Sequence, residues 1–348
     1  MAGAAESIKK AIALRESLVA SANDTLDDRL RLARCYSNLS DLLSEPESME
    51  YARKALEIHE ALRAADPSNN KIMNEAGAGY HIMGQRFADA GDLAGALENW
   101  REMQEIYKAL SESDPSNSMY RKSYALSCKR VGAVQIRTGE LAAAEENYRR
   151  AIEMEEPLIA ADPNNAANRF DFSYTLSDLG LILRQTKDYA GALQYYRRAL
   201  AIREELSSAD PKNVRARLAL AITYYRIGYI LKETGDYGSA VEPFRKSLQV
   251  REALLAADPT NNQYKKDVVD THCWLASVHL AAASSANTRA DDRAARWAEA
   301  RAGYQRALDL WNVFIKQGVE PTNVDCPPEE LNRQIANCEA GLRKSARQ

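Results

Sequence analysis

The chain has 348 residues and a formal net charge of -3, with 46 Lys and Arg against 49 Asp and Glu. That near-balance excludes a general electrostatic pull toward nucleic acid or anionic membrane, so any charged partner must be read by a local patch. A composition that is 45% apolar, 7% aromatic and 27% charged, rich in Ala, Leu, Arg and Glu, belongs to a folded, soluble, all-α protein and not to a disordered one.

No apolar run approaches the roughly 18 to 20 residues of a membrane span, and Met1 to Lys10 lacks the apolar stretch of a signal peptide, so a cytoplasmic protein is expected. The five cysteines, Cys35, Cys128, Cys273, Cys326 and Cys338, are scattered and form no Cys-x-x-Cys pair. They read as reduced thiols.

An internal period organises everything else. Asp-Pro recurs at Asp66-Pro67, Asp114-Pro115, Asp162-Pro163, Asp210-Pro211 and Asp258-Pro259, each step being 48 residues. Three further columns keep the same spacing: Gly84, Gly132, Gly180 and Gly228; Ala96, Ala144, Ala192 and Ala240; Trp100, Tyr148, Tyr196 and Phe244. Each period is expected to be an antiparallel helix pair, A then B.

In chain order, Ala11 to Glu16 aligns with Ala199 to Glu204, so residues 1-23 read as an unpaired B helix, as if the chain were a piece of a longer array. Residues 24-67 form a pair shortened at its inner turn, where Ser44-Glu45-Pro46 replaces the Gly-Asp found elsewhere. Full pairs follow at 68-115, 116-163, 164-211 and 212-259.

The pair at 164-211 sets the pattern. Phe172, Leu176, Leu179 and Leu183 have the three-four spacing of an amphipathic A helix, from Asn165 to about Thr186. Lys187-Asp188 breaks it where other pairs use Gly91-Asp92, Gly139-Glu140 or Gly235-Asp236, and a B helix runs from Tyr189 to about Ser207. Gly180 and Ala192 allow close backbone approach, with Tyr196 filling the space above. Proline then ends B, and Asn117, Asn165 or Asn213 can cap the next A helix.

The last pair, 260-318, carries an Ala-, Ser-, Arg- and Asp-rich insertion after Leu280 through Arg296, expected to be a loop. Residues 319-348 then form a loop and a capping helix that starts at Pro327-Pro328.

These columns resemble the tetratricopeptide signature, standing here as Leu176, Leu179-Gly180, Leu183, Ala192, Tyr196 and Ala199. The usual unit is about 34 residues. The 48-residue unit here adds about two turns to each helix. Long units with "AIRE" and "ADPxN" are similar to kinesin light chain repeats. They are closer to the arrays that follow the kinase domain of bacterial eukaryotic-like serine/threonine kinases, which also share the "YQRALDLW" and "IANCEAGL" segments. The resemblance implies a right-handed superhelical solenoid of antiparallel helix pairs and a non-catalytic protein-interaction scaffold or sensor module. Its alternative is the regulatory tail of such a kinase.

No phosphate loop, His-Glu-x-x-His, nucleophile elbow or paired Gly-rich turn occurs, so neither catalysis nor a cofactor is expected. His272, Cys273 and His279 share a helix face, but they stand at or beside packing columns and read as core residues and not as a metal site. A basic column, Arg29, Arg121, Arg169, Arg217 and Lys265, is expected to pair with a B-helix column of Glu16, Glu60, Glu156, Glu204 and Glu252, Glu204 opposite Arg217.

In tetratricopeptide arrays the groove-facing stripe of the A helix lies six and three residues before the Gly-type position and one and four after it. The resemblance therefore points to Tyr174, Ser177, Leu181 and Arg184; to Ile222, Tyr225, Tyr229 and Lys232; and to Leu126, Lys129, Ala133 and Ile136. Arg130, Arg137 and Arg226 flank them. The carboxylate clamp of chaperone-binding relatives needs Asn where Gln85, Ala133, Leu181 and Tyr229 stand, which disfavours a chaperone C-terminus. The expected ligand is an acidic protein or peptide segment with an apolar or aromatic anchor gripped by Tyr225 and Tyr229. No nucleic acid or membrane partner is expected.

Overall fold

The computed structural model describes residues 2–21, 24–286 and 288–346. Among the described residues there are fourteen α-helices and no strand. They fall into two compact units, Met1–Asn165 and Ala166–Gln348. The first holds α1 (Ala2–Val19), α2 (Leu26–Ser40), α3 (Glu47–Ala65), α4 (Asn70–Asp89), α5 (Leu93–Ser113), α6 (Ser118–Thr138) and α7 (Leu141–Ala161). The second holds α8 (Ala166–Gln185), α9 (Tyr189–Ala209), α10 (Val214–Glu233), α11 (Tyr237–Ala257), α12 (Asn262–Ser284), α13 (Ala290–Lys316) and α14 (Pro328–Ser345). Within each unit every helix packs on the one before it, as an all-α repeat requires.

Local chemistry sets the helix ends twice per repeat. Asn69, Asn117, Asn213 and Asn261 accept backbone N–H bonds at the start of α4, α6, α10 and α12, and Asp92, Asp188 and Asp236 do so at the start of α5, α9 and α11. Each cap satisfies donors that the helix leaves unpaired. Gly91, Gly139 and Gly235 end their A helices at φ of 82°, 85° and 81°, the left-handed region, and Lys187 takes that conformation at φ 65° where its repeat lacks glycine.

Phe172, Leu176, Leu179 and Leu183 are all buried, so the three-four spacing marks the core face of α8. The tyrosine above Gly180 explains that glycine: a Cβ there would lie 2.7 Å from Tyr196 Cε1, and one at Gly228 would lie 2.8 Å from Phe244 Cδ2. In the last pair the small residue has moved across, since a Cβ on Gly303 of α13 would meet Ala276 of α12 at 2.9 Å.

Three features differ from expectation. The insertion after Leu280 is mostly helix: α12 continues to Ser284 and α13 begins at Ala290, because Ala and Arg are strong helix formers. Asn287, in the short break, lies outside the described residues.

The Arg–Glu ladder forms with other partners. Arg169 pairs with Glu205, Arg29 with Asp24, and Glu204 accepts the hydroxyl of Tyr224. Adjacent residues on a helix point about 100° apart, so Glu205 turns to α8 while Glu204 turns to α10.

Cys273 and Cys326 are joined as a disulfide with Cα atoms 6.5 Å apart, so these two are not reduced thiols, whereas Cys35, Cys128 and Cys338 are free. The 53-residue separation hides this pair from any spacing rule.

Candidate protein-binding face

On the N-terminal unit, α6 carries Lys129, Arg130 and Arg137. Lys129 is drawn to Glu155 of α7, and the Arg130 guanidinium sits 5.5 Å from the Trp100 ring centre of α5. Arg137, on the last turn, is exposed.

On the C-terminal unit, the A helices α8, α10 and α12 touch one another in succession. This face gathers four of the expected residues. The Arg184 guanidinium lies 5.3 Å from the Tyr229 ring centre, and Arg226 donates to the Ser177 hydroxyl at 2.6 Å while lying 5.7 Å from the Tyr196 ring centre. Tyr225 lies 6.1 Å from Tyr229 and 3.9 Å from Trp274 of α12, centre to centre. Burial first, and then the charge of Asp325, push its hydroxyl pKa up to about 12. All four are half-buried, so each remains partly open to solvent. Lys232 is half-buried one turn beyond Tyr229. Tyr174 stands apart, with its ring 4.7 Å from Arg203, 5.6 Å from Arg215 and edge-on to Phe170.

Several residues that shape this face escape sequence reasoning. Arg203 is 1% exposed and donates to Ser173 Oγ at 3.0 Å, Ser173 O at 3.1 Å, Ala219 O at 3.1 Å and the Thr223 hydroxyl, tying α9 to both α8 and α10. Burial lowers its guanidinium to about 10. Arg251, one 48-residue step later, donates to Asp267 O at 3.0 Å and lies 5.1 Å from the Trp274 ring centre. The step itself was the available signal, since both occupy one column. Trp274 and Asp270 of α12 contact Asp325 in the segment before α14, a long-range relation that no motif encodes.

The histidines of α12 turn to different neighbours. His272 Nε2 is 3.7 Å from Glu252 and His279 Nδ1 is 3.3 Å from Arg296, while Cys273 is bonded to Cys326. Burial first, and then the nearby Arg306 and Arg296 guanidinium groups, hold both imidazoles below the usual histidine range.

Residues 171–253 match the family model of the tetratricopeptide repeat. The fold is also similar to that of solved structures. Over 79% of this chain and 92% of the other, the fold is similar to BtubC (BKLC) from P. vanneervenii, at 18% identity and a TM-score of 0.51. Over 96% and 99% it is similar to Nro1, the hypoxic regulator of sterol synthesis, at 14% identity and a TM-score of 0.55. The Podosopora anserina putative kinesin light chain, with its tetratricopeptide-like repeats, aligns over 66% and 96% at 14% identity and a TM-score of 0.37. No curated protein matches the sequence. Among the described residues no helix is long and apolar enough to cross a membrane.

Proposed function

We propose that the A-helix face of the C-terminal unit holds a segment of a partner protein, acidic and carrying one aromatic or apolar anchor, and that the chain works as a non-catalytic scaffold. The observation that carries this reading is the meeting of Arg184, Arg226, Tyr225 and Tyr229 on the touching helices α8 and α10. Half-buried rings offer apolar area at little entropic cost, and guanidinium groups pair with carboxylates through two parallel hydrogen bonds. The same reading gives Arg137, exposed on α6, a carboxylate contact on the N-terminal unit. Nro1, of similar fold, is a nuclear import adaptor, which accords with a scaffold role. A photo-crosslinking residue carried by the peptide beside its anchor tests the location. The adduct with an acidic, Trp-anchored peptide should map to α8 and α10, and an adduct confined to the B helices α9 and α11 would reject the face.

A further inference from the structure

Between α13 and α14 the chain returns across α12 as the non-helical segment Val319–Pro327, sequence VEPTNVDCP. It is fastened to one face of that helix. Lys266 Nζ donates to Thr322 O at 2.9 Å, and Asp270 Oδ1 accepts from the backbone N–H of Asp325 at 3.2 Å and of Cys326 at 3.3 Å. Trp274 Nε1 donates to Asp325 Oδ2 at 2.9 Å, and Cys273 is bonded to Cys326. From α13, Trp311 Nε1 donates to Cys326 O at 2.9 Å.

The place matters. Ala276 stands one 48-residue step after Gly228, so Asp270 and Cys273 lie six and three residues before the Gly-type position, on the stripe that supplies Ile222 and Tyr225 in α10. The segment thus brings non-helical backbone, the carboxylate of Asp325 and buried Val319 and Cys326 to the face on which an acidic, anchored partner segment is expected. Trp274, which holds that carboxylate, packs on Tyr225 with the ring planes tilted by 32°.

We propose that Asp270, Trp274 and the adjoining Tyr225 form a subsite for a non-helical acidic segment, filled in cis by Val319–Pro327 while the Cys273–Cys326 disulfide is closed. Opening the disulfide frees it for a partner segment of the same chemistry. This rests on the A-helix face being the binding face. Closure takes two electrons from the Cys273 and Cys326 thiols to a disulfide such as oxidised glutathione: a mixed disulfide forms, the second thiolate displaces one glutathione, and two glutathione thiols leave. Reduction runs the same exchange backward. A tethered segment acts at an effective concentration of order mM, so the covalent latch excludes a free competitor that the hydrogen bonds alone would only slow.

The test uses the full chain, oxidised with glutathione disulfide or reduced with excess dithiothreitol. Hydrogen exchange at residues 322–326 should quicken at least tenfold on reduction while α10 and α12 keep their protection. Next, a fluorescein-labelled peptide of residues 319–327, with Ser in place of its Cys, is titrated into the Asp325→Ala/Cys326→Ser chain, which releases its own segment. It should bind at least tenfold more tightly than to the oxidised wild type, and a peptide with Lys at the aspartate position should not. If that variant loses helicity, the reduced Asp325→Ala chain replaces it. Equal exchange in both redox states overturns the latch, and a released chain that binds no better than the oxidised one overturns the subsite. The exchange readout needs no partner, so it fails or succeeds apart from the Arg184 and Tyr229 reading.

Discussion

The hydroxyl of Tyr36 donates to Glu16 at 2.5 Å, and in the other unit Tyr224 makes the same bond to Glu204. In both cases the glutamate of a B helix reaches the tyrosine of the next A helix, twenty residues on in sequence. The pairing is therefore a device of the repeat that joins one helix pair to the next.

Tyr224→Phe removes that bond and leaves the ring in place, so it should lower unfolding free energy by about 1 kcal/mol. The Tyr224 hydroxyl is raised above the ordinary tyrosine value of 10.0 by burial first and then by Glu204. Above that value the unfolded tyrosine loses a proton that the folded one keeps. The stabilisation is complete below pH 10 and falls as pH rises beyond it. Urea unfolding of wild type and variant at pH 8 and 10.5 checks this, with the two curves converging at the higher pH. A gap that widens there would contradict the pairing.

Gly180→Leu should overpack the contact with Tyr196 and cost about 1 to 3 kcal/mol or more, since the Cβ alone would already lie 2.7 Å from the ring. Thermal unfolding at the wild-type temperature would show that the two helices do not need this approach.

Asp270 gives a second pH signature. Burial, and then the charge of Asp325, push its carboxyl up to about 7 from 3.8, although the N–H groups of Cys326 and Asp325 and the charge of Arg251 favour the carboxylate. Between those values the folded state keeps a proton that the unfolded state has lost. Stability should therefore fall as pH rises from about 4 to about 7 and then level off. Asp270→Asn retains an acceptor oxygen and removes the titration, so its unfolding midpoint should change less over this window. Identical slopes for the two chains would contradict the assignment.

Much of the architecture is legible because the repeat writes it several times. The 48-residue recurrence of Asp-Pro marks where α3, α5, α7, α9 and α11 end, and the Gly180 and Tyr196 columns stand in contact where their spacing placed them. What stays hidden is decided by one-residue rotations and long-range contacts. Glu204 and Glu205 are adjacent in sequence yet serve different helices. Arg203 lies in a polar-looking "AIRE" stretch but is buried, because carbonyl and hydroxyl oxygens of two neighbouring helices converge on it. The Cys273–Cys326 bond and the Asp325 contacts depend on how the segment after α13 returns, which no local pattern records.

Lys187 was visible as a departure from the glycine seen at Gly139 and Gly235, and its φ of 65° gives the departure a cost. Lys187→Gly should raise unfolding free energy by up to about 1 kcal/mol, the gain in backbone freedom being partly offset by the larger entropy of the unfolded chain. Urea denaturation measures it, and a loss of stability would show that the lysine side chain contributes more than its backbone costs.

The proposed holding of an acidic segment by cations and tyrosines on α8 and α10 makes a direct demand on affinity. It is tested most directly by anisotropy titrations of labelled acidic peptides, each carrying one Trp or Leu anchor, against wild type and the Arg184→Glu/Arg226→Glu chain at two salt concentrations. Binding by the wild type that weakens with salt, and falls at least tenfold in the charge-reversed chain of unchanged helicity, is the expected result. Equal affinity of the two chains for every peptide that binds would contradict it.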